Sequence, residues 1–330
     1  MAIAEEEDGV RDRPRLLTAV AIAVAVAGIV VMAAIAGFRA VGDAADHVSA
    51  GWIALAGAAQ IAAYAGYVVA YRAIARLKRG PELSPGLAGR LVGAGFGAFA
   101  LRGGFGLDTR ALRGLTGERD RPVTRVLGLG ALEWALLAPA ACIAALVLLL
   151  TGSRAQGALL WSWVIAVPVG FAGGPWAAHP DRVERLERRD GWRRALGRAL
   201  SGVSVLRTLA AHPVRWASAW PGLALYWVGD IAVLYAALRT FDVRVSAAVL
   251  IVAYATGYAA TRRTLPLGGA GVTEVLMVLA LRWAGLPLAA AVAPVALYRV
   301  VSFVAPTLPA LAMRDSVERI LRRGDAVADA

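Results

Sequence analysis

The chain of 330 residues has a single cysteine, Cys142, and three histidines, His47, His179 and His212. One cysteine excludes an intrachain disulfide, and the histidines lack the spacing of metal ligands. No Walker-type phosphate-binding motif is present, which argues against ATP hydrolysis. Polar sequence is also scarce, because 59% of the residues are hydrophobic, against about 45–50% in a soluble domain. We therefore expect no metal, no cofactor and no nucleotide motor.

Six apolar segments are long enough to cross a hydrocarbon core as helices, which takes roughly 17–25 residues. None shows the short alternating pattern of an outer-membrane barrel. No Ala-x-Ala-type cleavage site follows the first segment, so we interpret it as a retained span. The sequence predicts an all-α polytopic membrane protein whose spans are 16–37, 51–72, 126–150, 158–178, 216–238 and 288–311.

Two further apolar segments, 87–101 and 246–284, are interrupted by glycines and arginines. In the second, 271–284 would extend only about 21 Å as a helix at 1.5 Å per residue, short of a full crossing. We predict re-entrant hairpins, with two strongly tilted crossings as the alternative. The return limb of the first hairpin, 108–117, is polar and is expected at the membrane interface.

The net charge of +12 is unevenly placed. The four connections on one side carry 26 of the 35 Lys and Arg residues, counting Arg72 at the boundary. Basic residues concentrate on the cytoplasmic side of membrane proteins, so both termini are predicted to lie there, in the cytoplasmic (inner) membrane. This placement also argues against nucleic acid as a partner. The predicted organisation is a cytoplasmic N-terminus (1–15), a first transmembrane half (16–178), a connector (179–213), a second half (214–313) and a cytoplasmic tail (314–330).

An offset of 165 residues relates the two halves. It places Leu101–Leu107 on Pro266–Val272, the span 51–72 on 216–237, and 126–150 on 291–315. The charge distribution gives the two copies, 51–150 and 216–315, opposite orientations. Inverted repeats with glycine-broken segments at matching positions are typical of transporters. A duplicated bundle without a transport role is the alternative.

The connector 179–213 is basic and amphipathic. Apolar side chains share one face at helical spacing, and most arginines lie elsewhere; the apolar positions are Trp192, Leu196, Leu200, Val203 and Leu206. This pattern favours a helix lying on anionic inner-leaflet lipids.

The stretch Pro266–Glu274, followed by Gly285-Leu286-Pro287 and Tyr298-Arg299, resembles the lysylphosphatidylglycerol synthase transmembrane region family. That family includes the flippase domain of the multiple peptide resistance factor. The resemblance covers essentially the whole chain and implies movement of polar lipids or polyprenyl-linked glycans across membranes. Two positions depart from the family pattern, since Thr273 stands where an arginine is usual and Leu267 where a glycine is usual. The soluble aminoacyl-transfer domain of the synthases is not part of this sequence, so we do not expect aminoacylation.

Four ionisable residues fall well within apolar segments: Glu133, Asp230, Glu274 and Arg299. A charge at the bilayer centre costs about 2.5–3.5 kcal/mol on insertion scales, so each needs a partner, water or a purpose. We predict a Glu133–Arg299 pair, because the 165-residue offset places Glu133 beside Arg299. A purely structural pair is the alternative to a functional one.

Arginines precede both glycine turns, Arg102 in the first half and Arg262 and Arg263 in the second. Free backbone N–H groups at a helix N-terminus favour a phosphate, and a guanidinium can bind one with two hydrogen bonds. With Gly268, Gly269 and Gly271, these residues form a predicted cradle for a lipid phosphate. Glu274 could bind a cationic headgroup, accept a proton or cap the helix.

The leading hypothesis is a flippase-like transporter, with a membrane lipid as substrate and no enzymatic activity. One alternative is a polyprenyl-dependent glycosyltransferase, which would use acidic residues in the first outer loop, here Asp43 and Asp46 beside His47. Another is a non-transporting partner, in an oligomer or beside a lipid-modifying enzyme.

Overall fold

The computed structural model describes residues 14–45, 48–77, 80–96, 104–116, 122–153, 155–259, 269–312, 316, 317 and 319. Within these ranges the regular secondary structure is helical, and no strand occurs. In chain order the helices are α1 Pro14–Ala36, α2 Phe38–Ala44, α3 Ala50–Ala75, α4 Pro85–Phe96, α5 Gly104–Thr116, α6 Pro122–Leu150, α7 Gly157–Ala177, α8 Pro180–Glu187, α9 Trp192–Ala211, α10 Ala219–Thr240, α11 Ala247–Ala259, α12 Val272–Trp283, α13 Leu288–Arg299 and α14 Ala305–Ala312.

Six helical stretches are long and apolar enough to cross a membrane, and they confirm the six predicted spans. They are Ala19–Ala36, Ala50–Ala75, Pro122–Leu150, Gly157–Ala177, Ala219–Thr240 and Leu288–Thr307. A lipid environment offers backbone groups no hydrogen-bond partners, so such stretches satisfy their own N–H and C=O groups as helices. The chain is therefore a multi-pass helical membrane protein.

The centre of the bundle is the pair α3 and α10. They run antiparallel, because the Ser49 N–H before α3 donates to the Thr240 carbonyl at the end of α10, at 3.2 Å. Glycine allows close approach, since a β-carbon added at Gly66 would lie 2.5 Å from the Gly222 carbonyl oxygen. Small residues bring membrane helices into backbone contact in this way. The antiparallel pairing agrees with opposite orientations of 51–72 and 216–237, while the repeat symmetry itself stays a prediction.

Each predicted hairpin contains two short helices. In the second half, α11 and α12 pack against each other, and a β-carbon added at Gly257 would lie 2.9 Å from the Met277 Cβ. In the first half, α4 is followed by α5, whose Asp108, Ala111 and Leu112 are buried against the bundle. The return limb 108–117, expected to be polar and interfacial, thus contributes buried side chains through α5. The re-entrant path of both segments stays a prediction.

The final span is not a uniform α-helix. Helix α13 contains Pro294 and ends at Arg299, and a π-helical turn, Val300–Val304, connects it to α14. Proline removes a backbone hydrogen-bond donor, and π-turns inside helices occur often at functional sites. The irregular backbone directly follows the charged side chain of Arg299.

The connector folds as α8 and α9. Helix α9 packs on α6 through its small residues, and a β-carbon added at Gly202 would lie 2.8 Å from the Leu127 carbonyl. Only the first part of the apolar face predicted from the sequence is exposed, with Trp192 at 70% and Leu196 at 41%, whereas Leu200, Val203 and Leu206 are half-buried. An exposed apolar face on a basic helix is what binding to a membrane surface requires.

Candidate functional site

Glu133 lies in the middle of α6 with only 2% of its surface exposed. Its two carboxylate oxygens accept hydrogen bonds from the hydroxyls of Tyr67 on α3, at 2.8 Å, and Tyr258 on α11, at 2.9 Å. Hydrogen bonds to a charged acceptor are stronger than neutral ones. Three helices from both halves of the chain therefore meet at this one side chain.

Asp230, on α10, is fully buried. Its Oδ2 accepts hydrogen bonds from the hydroxyls of Tyr254 on α11, at 2.5 Å, and Tyr298 on α13, at 3.4 Å. The 165-residue offset makes Tyr298 the counterpart of Glu133. In the first half Tyr67 on α3 bonds to the acid on α6, whereas in the second half the acid on α10 bonds to the tyrosine on α13.

Trp227 joins the two carboxylates into one cluster. Its Nε1 donates to the Glu133 carbonyl oxygen at 3.1 Å, and its ring centroid lies 4.8 Å from that of Tyr258 and 5.9 Å from that of Tyr254. Edge-on contacts between buried rings add stability beyond the area that they bury. We call the cluster the acid–tyrosine core; its members are Glu133, Asp230, Tyr67, Tyr254, Tyr258, Tyr298 and Trp227.

The Glu133–Arg299 ion pair predicted from the sequence was wrong. The Arg299 Nε instead contacts the Glu274 Oε1 at 2.5 Å. The reason is topological, since α12 and α13 are consecutive helices joined by a short turn and pack against each other. Glu274 also lies in the first turn of α12, where the helix dipole stabilises a negative charge.

The Arg299–Glu274 pair has unused hydrogen-bonding capacity. The Arg299 Nη2 and the Glu274 Oε2 are buried without a hydrogen-bond partner in the part of the chain that the structure describes. The side-chain amide nitrogen and oxygen of Gln60, on α3, are likewise buried without a hydrogen-bond partner among the described residues. An unsatisfied buried polar atom costs about 1–3 kcal/mol. These atoms are therefore available to water or to a polar ligand.

The glycine turn before α12 is described from Gly269 onward. Gly269 and Gly271 have φ angles of 70° and 81°, a region that glycine adopts without strain. The Thr273 hydroxyl, at the position where the family has an arginine, donates to the Gly269 carbonyl at 3.0 Å. Four residues of the predicted phosphate cradle, Arg102, Arg262, Arg263 and Gly268, lie outside the described residues, so the cradle stays a prediction.

Helix α1 contacts this turn, which the sequence did not indicate. A β-carbon added at Gly28 would lie 3.1 Å from the Gly271 Cα, and one added at Gly271 would lie 3.0 Å from a Val24 methyl carbon. Gly28 is the single glycine between residues 16 and 36, the one signal that could have suggested a close contact. The first span thus covers the N-terminal end of α12.

A further buried acid lies beside the core. Asp108 on α5 is 4% exposed and interacts with the Tyr71 hydroxyl. The pKa of Asp108 is raised to about 7: burial has the largest effect, the Tyr71 hydroxyl lowers the pKa, and the negative charge of Glu133 raises it. Burial therefore favours the neutral form of the Asp108 side chain.

Sequence reasoning missed the tyrosines as hydrogen-bond donors. All eight tyrosines of the chain fall in apolar helical segments, and Tyr254 and Tyr258 are separated by one helical turn. This clustering was the sequence signal that could have indicated tyrosines as hydrogen-bond donors to the buried acids. Of the residues proposed for a glycosyltransferase, Asp43 is exposed on α2, while Asp46 and His47 lie outside the described residues. Among the described residues, no group of three or more His, Cys, Asp or Glu side chains could hold a metal ion.

The sequence profile of one protein family, described as the lysylphosphatidylglycerol synthase TM region, matches residues 17–310. A comparison with curated proteins gave no match. The matched range includes every span, the acid–tyrosine core and the Arg299–Glu274 pair. The chain belongs to the lysylphosphatidylglycerol synthase transmembrane region family.

Proposed function

We propose that this protein is a flippase-like transporter that moves a polar or anionic lipid, either a phospholipid or a polyprenyl-linked glycan, across the cytoplasmic membrane. Family membership supports the class of protein. The excess of basic residues on one side of the predicted topology supports the orientation, with both termini in the cytoplasm.

The observation that carries the proposal is the concentration of buried polar groups inside candidate membrane spans. Glu133 on α6 and Asp230 on α10 both lie within such spans and are almost inaccessible. Ionisable side chains at membrane depth are costly, and they mark substrate or ion pathways in membrane proteins. Packing alone does not require carboxylates at these positions, because apolar residues of similar volume would fill the space without the desolvation cost.

The substrate class follows from the polar groups that surround the irregular backbone. Arg299 and Glu274 offer one buried donor and one buried acceptor that lack hydrogen-bond partners among the described residues. A headgroup with both phosphate oxygens and donor groups would fit such a pair, with Arg262 and Arg263 as the proposed additional phosphate ligands.

Transport can be measured with purified protein in liposomes that contain a fluorescent phospholipid or polyprenyl phosphate. A membrane-impermeant reductant that bleaches only the outer leaflet reports movement between leaflets. We expect the double variant Tyr67→Phe/Tyr258→Phe to transport lipid at least about a hundredfold more slowly, because it removes two hydrogen bonds to a charged group and each contributes roughly 1.5–3 kcal/mol.

Tyr235→Phe is the matched control. Tyr235 lies on α10 outside the acid–tyrosine core, is 37% exposed, and its ring contacts Trp52 edge-on. The Tyr235→Phe variant should transport lipid at the wild-type rate. Equal amounts of monodisperse protein establish that both variants fold. Wild-type transport by the double variant would contradict a role for the core, and wild-type transport by Arg262→Gln/Arg263→Gln would rule out the phosphate cradle.

A further inference from the structure

A groove on the connector is lined almost entirely by arginines. Its volume is about 390 Å³, and its lining residues are Arg182, Arg185, Leu186, Arg189 and Arg193. They come from α8, from the turn after it and from the start of α9. The groove is separate from the acid–tyrosine core, so an inference about it does not depend on the transport proposal.

The arginines of the groove differ from their neighbours in pairing. In the part of the chain that the structure describes, none of the four has a carboxylate within ion-pair distance. Two nearby arginines do: Arg188 pairs with Glu184 at 2.6 Å, and Arg194 pairs with Asp190 at 2.7 Å. Four positive charges that face one cavity repel each other unless an anion lies between them.

The groove lies at the end of a membrane span. The Arg182 guanidinium lies 3.5 Å from the ring centroid of Trp176 and donates to the Trp176 carbonyl at 3.2 Å. Trp176 is 68% exposed and lies in the last turn of α7, and tryptophans at span ends occupy the headgroup region of the bilayer. The exposed Trp192 and Leu196 follow on α9.

We propose that this groove binds the anionic, phosphate-bearing headgroup of a membrane lipid. Guanidinium groups bind phosphate with two hydrogen bonds each, and arginine suits this geometry better than lysine. Arg185 uses its Nε on the Asp181 carbonyl, which leaves its terminal nitrogens for the ligand. The exposed tryptophans and Leu196 offer apolar surface to the acyl chains. A soluble anion would use only the arginines.

The test uses the full chain, purified in a non-ionic detergent and titrated with phosphatidic acid or with phosphatidylcholine of the same acyl chains. Native mass spectrometry counts bound lipids. The variants are Arg185→Gln/Arg189→Gln in the groove and Arg188→Gln/Arg194→Gln as the control, which removes the same charge from the same connector. Inorganic phosphate serves as the competitor in a third arm.

The proposal predicts that phosphatidic acid binds more tightly than phosphatidylcholine. It also predicts that the groove variant loses about twenty-five-fold in affinity for phosphatidic acid, at about fivefold per arginine, while the control keeps near wild-type affinity. Equal losses in both variants would overturn the proposal in favour of non-specific surface charge. It would also fail if neither variant lost affinity, which would point to an acidic protein partner, or if millimolar phosphate displaced the lipid, which would identify a soluble anion. Matching thermal unfolding curves for the two variants show that both are folded.

Discussion

Two arginine–carboxylate pairs in this protein have nearly the same nitrogen–oxygen distance and very different surroundings. Arg299–Glu274 is separated by 2.5 Å with side-chain exposures of 12% and 0%, and Arg188–Glu184 by 2.6 Å with exposures of 75% and 65%. Water screens the exposed pair and hydrates either partner when the other is removed. No such replacement exists in the interior, where removing one partner strands a charge. Burial, and not distance, therefore decides which pair the fold depends on.

The largest expected effect comes from breaking the buried pair. Arg299→Gln should lower the free energy of unfolding by about 3–5 kcal/mol, because it leaves the Glu274 carboxylate buried without its cation. Unfolding of the detergent-solubilised protein by heat or denaturant measures the loss. Adding Glu274→Gln to the same chain should restore part of the stability, since the stranded charge is then gone. A loss in Arg299→Gln as small as that of a surface variant would show that the pair is hydrated.

A smaller loss of stability is expected when a side chain is added at a closely packed glycine. Gly66→Ala should destabilise by about 1–3 kcal/mol, because its β-carbon would lie 2.5 Å from the Gly222 carbonyl oxygen and 2.7 Å from the Tyr226 nitrogen. Both obstacles are backbone atoms of α10, so a side-chain rotation cannot relieve them.

Gly57→Ala on the same helix is the control, because no atom lies within 4 Å of its added β-carbon. It should be neutral or slightly stabilising, since alanine favours a helix over glycine by about 0.5–1 kcal/mol. Thermal unfolding of both variants tests the difference. Equal stabilities would mean that α3 and α10 separate easily, contrary to the close backbone contact.

The smallest effect is expected at the exposed pair. Arg188→Gln should change the free energy of unfolding by no more than about 1 kcal/mol, because surface ion pairs contribute little and salt screens them. The same unfolding assay, run at low and high salt, should show that any small difference disappears at high salt. A loss comparable to that of Arg299→Gln would break the comparison and assign the connector a structural role.

The six spans could be predicted from the sequence because hydropathy is a local property. An apolar stretch in lipid has no alternative to a helix, whatever its neighbours do. The same reasoning located the four ionisable residues inside apolar segments, and all four are at least partly buried there. The glycine-broken segments were also visible, since Gly269 and Gly271 stand in a turn before α12.

Which side chains meet was decided by the tertiary structure. The rotation of each helix about its axis, and the choice of its neighbours, depend on packing that no single segment encodes. The sequence therefore assigned Arg299 to Glu133, whereas the fold brings Arg299 to Glu274 and gives Glu133 the hydroxyls of Tyr67 and Tyr258. The connector shows the same division: its composition indicated a basic amphipathic helix, but only the packing of α9 on α6 left Trp192 and Leu196 exposed on the helix that contributes Arg193 to the arginine groove.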